Sequence, residues 1–157
     1  MWRSAHASRP TRLALCAAAL TIGGACAHLR GGSGEDYQAV MVAGPEATLR
    51  TARTRLEEHG FKVNDAGPTT LVTIPTPIPP RLLDGERRLE GRYWMLHVTA
   101  QPQRFTSGTR LRVVGYLLPA ATPGERSQKE ATPITSDQRA LFAEVQAAGR
   151  WIEGKAN

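Results

Sequence analysis

The chain has 157 residues, a formal net charge of +6 and 41% hydrophobic residues, which is typical of a globular rather than a disordered protein. Without a leader of about 25 residues, about 130 residues remain, enough for one domain with one core and too few for two. The two cysteines, Cys16 and Cys26, both lie near the leader. The rest of the chain therefore excludes a disulfide framework and a thiol enzyme.

Residues 1–25 have the order of a secretory signal peptide. A basic region precedes an apolar segment at 13–22, and small residues follow at 23–27. Ten helical residues span ~15 Å, about half the hydrocarbon core of a bilayer, so the segment is too short for a stable transmembrane helix. We therefore predict a cleaved export signal rather than a buried core helix.

Two cleavage sites fit this signal. Residues 22–26 read Ile-Gly-Gly-Ala-Cys and resemble the lipobox of bacterial lipoproteins, although Gly23 stands where the family usually has Leu, Val or Ile. The resemblance implies diacylglyceryl and acyl chains, including palmitate, on Cys26, and each buried CH₂ contributes ~0.8 kcal/mol to membrane binding. The alternative is cleavage after Ala27 at an Ala-x-Ala site, which releases a soluble protein that begins at His28.

The lipobox resemblance also implies a location in the cell envelope. In Gram-negative bacteria, a lipoprotein whose second residue is not Asp goes to the outer membrane, and Ala27 follows the cysteine here. We therefore expect an outer-membrane anchor, with the domain facing the periplasm, rather than an inner-membrane one. Arg3, Arg9 and Arg12 of the leader contribute half of the net charge of +6. The remaining charge suits a solvated surface or an anionic membrane, and an exported chain is not expected to bind nucleic acid.

The anchor is followed by a tether and a single domain. Residues 26–36 comprise the cysteine and a stretch of glycine, serine and charged residues, typical of a flexible tether. Residues 37–157 form the domain, which begins with a strand over 37–43. Pro45 then begins a helix, and Gly60 ends it in the left-handed conformation. The apolar stripe of this helix consists of Leu49, Ala52 and Leu56.

The next segment predicts two short strands and a proline-rich connection. Residues 61–63 begin a second strand, 65–68 form a turn and 70–74 form a third strand. Residues 75–80 read Pro-Thr-Pro-Ile-Pro-Pro, and they are expected to be extended and unable to pair inside a sheet. They are either a stiff connection that guards a sheet edge or a polyproline recognition segment. Residues 81–90 predict a surface loop or a short helical turn.

Two longer strands, over 92–101 and 109–118, form an antiparallel hairpin around a turn at 106–108. Their side chains alternate between two faces. The apolar face carries Trp94, Leu96, Val98, Ala100, Leu111, Val113 and Leu117. The opposite face carries the residues predicted as a binding face, Tyr93, His97, Arg110, Arg112 and Tyr116. Aromatic rings beside arginines can hold an anionic partner, while a solvated sheet exterior is the alternative interpretation.

The chain ends with a loop over 119–134 and a helix. Thr135 and Gln138 form a predicted capping box for this helix. Its apolar stripe consists of Leu141, Val145, Ala148 and Ile152. Because the strands are grouped between two helices, the sequence predicts an α+β fold, with an antiparallel sheet of about five strands and two helices packed on one face.

One stretch of the domain resembles a known family. Residues 47–73 combine the first helix with Glu-His-Gly-Phe-Lys-Val at 58–63, Asp65 and Leu-Val-Thr at 71–73. This unit is similar to the helix-grip domains of BamC-type envelope lipoproteins. The resemblance is carried by structural residues, and it implies an accessory scaffold with no catalytic residues to carry over.

No catalytic, nucleotide-binding or metal motif is present in the sequence. The histidines lack ligand spacing, and His59 is interpreted as a helix-end cation. We therefore expect no enzyme activity, no cofactor and no metal. The predicted function is a membrane-anchored accessory or scaffold that binds other envelope proteins. The alternative is a carrier of a small apolar or lipid ligand, which needs a cavity of at least ~300 Å³ beneath the helices. A tightly filled core there would exclude this alternative; the residues that decide it are Trp94, Leu96, Val113 and Leu141.

Overall fold

The computed structural model describes residues 36–104, 106–119 and 130–155. The predicted signal peptide, Cys26, the tether up to residue 35 and most of the loop over 119–134 lie outside these residues. The helices and strands within them are β1 Asp36–Met41, α1 Pro45–Glu58, β2 Val63–Gly67, β3 Thr70–Thr73, β4 Thr76–Pro77, β5 Tyr93–Pro102, β6 Thr109–Leu118, β7 Thr132–Pro133 and α2 Arg139–Glu153. Two 3₁₀ turns, Pro80–Leu82 and Arg87–Leu89, connect β4 to β5.

The strands form one antiparallel sheet in the order β1-β6-β5-β3-β2. The two-residue strands lie off this path, β4 paired with β5 and β7 paired with β6. Helix α1 packs over β5, β3 and β2, while α2 packs over β1 and β6. The predicted α+β class, with its antiparallel sheet and two helices, is therefore confirmed.

The hydrophobic core lies between the helices and one face of the sheet. Along β5 every second side chain from Trp94 to Ala100 is buried, as the alternation predicts. The predicted stripes of both helices are buried against this face. Leu96, Val113 and Leu141 have no solvent exposure, and Trp94 is 4% exposed. The space between sheet and helices is therefore filled at the four positions that the ligand-carrier alternative depends on.

The ends of α1 follow the sequence closely. Pro45 is the first helical residue, where its missing N–H costs no hydrogen bond. Gly60 has φ +85°, and the backbone N–H of Phe61 donates to the carbonyl of Leu56 at 3.0 Å. This is the left-handed termination that the sequence predicts.

The start of α2 differs from the prediction. The Gln138 side chain accepts a hydrogen bond from the Thr135 backbone N–H at 2.8 Å, so half of the capping box forms. The helix nevertheless begins at Arg139, because Thr135–Gln138 close a turn before it. The capping residues thus fix the approach to the helix rather than its first turn.

Two predictions about the shorter strands are wrong. Strand β2 continues to Gly67 and turns at Pro68 and Thr69, with a register shift between Asp65 and Gly67. Within the predicted loop over 119–134, β7 pairs with β6. The proline-rich segment fits the prediction of a connection that guards a sheet edge, because β4 pairs with the first residues of β5 where that strand extends beyond β3. A proline is tolerated there because β4 pairs on one side only.

Candidate functional site

Helix α2 is fixed against the sheet by two glycines. A Cβ on Gly149 would stand 2.1 Å from the ring of Tyr37. A Cβ on Gly115 of β6 would stand 2.5 Å from Val145 of the helix. The hydroxyl of Tyr37 also donates to the carboxylate of Glu153. One side of α2 is therefore packed more closely than a side-chain methyl would allow.

An open groove of about 590 Å³ runs along another side of the same helix. On the α2 side it is lined by Ala140, Ala143 and Ala147, which recur at helical spacing and share one face. Leu82 and Trp94 also line it. The groove exists because successive positions on this face of the helix carry only a methyl group.

Four aromatic rings line the groove. His59, which ends α1, stacks on Trp151 of α2 with ring centroids 3.6 Å apart and an interplanar angle of 7°. Phe61 contacts Trp94 edge to face at 5.6 Å and 75°. The stack ties the end of α1 to the last turns of α2, so the aromatic wall belongs to two elements that the core already holds in place.

Two arginines and one glutamate supply the charge of the groove. Nη1 of Arg81 lies 3.6 Å from Oε1 of Glu144, and the Arg81 side chain is 73% exposed. That distance is longer than a normal hydrogen bond. None of the ion pairs formed within the described residues involves Arg150. The groove thus joins an aromatic surface to an excess of positive charge.

The predicted binding face lies on the side of the sheet opposite the helices. His97 and Tyr116 make an edge-to-face contact at 6.1 Å and 61°. Tyr93 and Arg110 lie at opposite ends of the hairpin, about eight residues or ~26 Å apart along it. Among the five predicted residues, His97 is in contact with Tyr116 and close enough to Arg112 to be affected by its charge.

Arg112 is occupied by an ion pair. Its Nε lies 2.6 Å from Oδ2 of Asp36, whose side chain is 2% exposed. The Gln38 side-chain amide donates to the same oxygen at 2.9 Å. Burial lowers the pKa of His97, and the nearby positive charge of Arg112 lowers it further. Because its guanidinium is already paired with the Asp36 carboxylate, Arg112 has less capacity to bind an external anion than the sequence suggests.

The sequence interpretation missed the groove. It placed Trp94 in the core and His59 at the end of α1, and both residues lie there. The available signal was the second stripe of α2, in which three alanines lead to Trp151 at spacings of three or four. A stripe of small residues ending in an aromatic ring marks a helix face that is not filled by the core.

Comparison with models of known protein families finds no match, and a search of curated proteins finds no significant similarity. Neither helix in the described ranges has the length and apolar character that crossing a membrane requires. Over the same part of the chain, no three His, Cys, Asp or Glu side chains are grouped so that they could hold a metal ion. The groove and the predicted binding face are therefore judged by their own geometry.

Proposed function

We propose that the protein is a lipid-anchored lipoprotein of the bacterial envelope, and that its domain is a non-catalytic accessory or scaffold that binds other envelope proteins. The groove beside α2 is the observation that best supports a binding role. Tryptophan and arginine are the residue types enriched at the centres of protein interfaces. The groove presents both, on elements held rigidly by the core.

The proposed anchor is supported by the sequence before the domain and by the way the domain begins. Cys26 is followed by a Gly- and Ser-rich stretch that leads into β1. The start of β1 is fastened by the ion pair of Asp36 with Arg112 and by the hydrogen bond of Tyr37 to Glu153. Such a junction would hold the domain firmly at the end of the predicted tether, which suits a scaffold on the periplasmic side of the outer membrane.

The mass of the mature N-terminal peptide tests the anchor. We expect a peptide that begins at Cys26 and carries diacylglycerol and acyl groups, in protein extracted from bacterial membranes. An unmodified peptide that begins at His28 would instead mean a soluble exported domain. Co-purification of the anchored protein with a defined set of envelope proteins tests the scaffold role. Recovery of the protein alone, after mild crosslinking in intact cells, would contradict that role.

A second candidate function is a carrier that holds a small apolar or lipid ligand in the groove, which differs from the predicted carrier with its ligand between sheet and helices. The observation in its favour is the volume of the groove, about 590 Å³, which lies within the ~300–1,000 Å³ of ligand sites. Because Leu96, Val113 and Leu141 fill the interior, such a ligand would lie in the groove and not between sheet and helices. Extraction of the purified protein with organic solvent, followed by mass spectrometry, would show a stoichiometric lipid if this function is correct.

A further inference from the structure

We infer that the groove binds an extended peptide segment in which a large aromatic or apolar side chain is flanked by carboxylates. The inference rests on the proposed function, since it names the chemistry of the partner at the same site. The partner is a peptide from another protein, and its chemistry follows from the apolar lining, the charge and the openness of the groove.

The apolar lining of the groove favours a large apolar side chain. Ala140 and Ala143 of α2 line it together with Leu82 and Trp94. Trp94 is held by Phe61 and Trp151 by His59, so the rings do not need to be ordered when a partner binds. A preorganised aromatic wall is favourable, because ordering flexible side chains on binding costs free energy.

The charge of the groove favours carboxylates on both sides of the central residue. Arg81 sits at the level of Glu144 on α2, and Arg150 follows six residues later. Six helical residues rise ~9 Å, while two residues that flank a central one in an extended chain are ~6.6 Å apart, a difference that the long arginine side chains can cover. Because neighbouring side chains of an extended chain alternate in direction, the two carboxylates lie at the rim of the groove, where the Arg81 side chain is 73% exposed. Arginine binds carboxylates through two parallel hydrogen bonds, which adds geometric specificity.

The openness of the groove favours a peptide over an acyl chain. A lipid chain gains stability from being removed from water along its whole length. The groove is open, and behind it the core is filled by Leu96, Val113 and Leu141. An extended peptide can bury one side chain in such a groove and leave its backbone in contact with water.

Tryptophan fluorescence can report binding in the groove. Trp94 and Trp151 both line it, and the third tryptophan of the chain, Trp2, lies in the predicted leader. The probe is a blocked synthetic peptide, Gly-Asp-Phe-Asp-Gly, added to the processed protein purified from membranes in detergent. The comparison peptides are Gly-Lys-Phe-Lys-Gly and Gly-Asp-Ala-Asp-Gly. We expect a saturable change in tryptophan fluorescence, with the first peptide binding at least about tenfold more tightly than either of the others.

Variants assign the binding to the groove. Arg81→Gln and Arg150→Gln should each weaken binding of the acidic peptide about tenfold, because each removes a charge-assisted contact. The matched control is Arg88→Gln, since Arg88 is 89% exposed on the neighbouring 3₁₀ turn and does not line the groove. Equal binding of the acidic and basic peptides, or an equal loss in Arg88→Gln, overturns the inference. Binding of decanoate without binding of the acidic peptide also overturns it, in favour of the ligand carrier.

Failure of the inference is distinguishable from failure of the proposed function. Ala143→Leu fills the groove without changing the anchor. If envelope proteins still co-purify with this variant as they do with the wild type, the scaffold role stands and the groove is not its contact. If they are lost from Ala143→Leu and retained in Arg88→Gln, both the scaffold role and the groove assignment are supported.

Discussion

Two sides of helix α2 use small residues to opposite effect. On the sheet side, Gly149 and Gly115 lie so close to their neighbours that a methyl group would overlap them. On the groove side, Ala140 and Ala143 face open space. The residue type on the helix is nearly the same, and the difference lies in what stands opposite. A small residue that faces a large ring makes a tight contact, whereas small residues with no side chain packed against them leave a groove.

The sheet side and the groove side of α2 have different roles. The sheet side carries the ring of Tyr37 and its bond to Glu153, and it joins the first strand to the last helix. We expect substitutions there to change stability. The groove side contributes little to the core, so substitutions there should change binding and leave the fold intact.

Gly149→Ala is expected to have the largest effect on stability. The new methyl would overlap the Tyr37 ring, and overpacking of this kind costs about 3 kcal/mol at the upper end of its usual range. Better helix propensity offsets about 1 kcal/mol of this. Chemical denaturation should therefore show a net loss of about 2 kcal/mol in the free energy of unfolding.

The double variant Tyr37→Ala/Gly149→Ala is the control for this prediction. Once the ring is absent, the methyl has room, so Gly149→Ala should be neutral or stabilising in the Tyr37→Ala background. The same loss in both backgrounds would mean that the ring is not what the glycine accommodates.

The same substitution at two alanines of α2 tests the difference between the sides. Ala148 has no solvent exposure, so Ala148→Leu should lower the free energy of unfolding by about 1–3 kcal/mol. Ala143 is exposed in the groove, so Ala143→Leu should change it by less than about 0.5 kcal/mol. The denaturation midpoints of the two variants provide the measurement. Equal destabilisation by the two substitutions would show that the groove is part of the packed core.

Much of the fold could be predicted from local patterns. Alternation along β5 and β6 places the buried face, because side chains of a strand point to opposite sides. Gly60 marks the end of α1, since a left-handed residue is needed there. These signals act over a few residues and do not depend on distant contacts.

The remaining features depend on contacts between distant parts of the chain. Strand β2 is exposed from Asn64 onward and shows no apolar alternation, so its turn-forming residues predict a turn over 65–68 where the strand in fact continues to Gly67. Strand β4 pairs only because the edge of β5 extends beyond β3. The groove requires α2, the end of α1 and a 3₁₀ turn to lie together. The predicted binding face was identified by alternation, but the engagement of Arg112 by Asp36 was not.

The smallest expected effect concerns the far face of the sheet, which neither helix covers. Burial, and then the charge of Arg112, lower the pKa of His97 in the folded protein. The unfolded chain, with an ordinary pKa near ~6.5, therefore takes up the proton first as the pH falls. Stability is greatest above that pH and declines below it, until the folded-state imidazole is also protonated.

Replacement of the imidazole isolates this contribution. In His97→Gln the proton-linked loss is absent, so the variant should lose less stability than the wild type between about pH 7.5 and pH 5.5. Urea denaturation at several pH values across this range measures the difference, and the other titrating groups are common to both proteins. Parallel stability curves would mean that the ring of His97 stays accessible to water beside Tyr116. In that case the outer face would be a solvated surface, and the groove would be the better supported of the two as a contact for a partner.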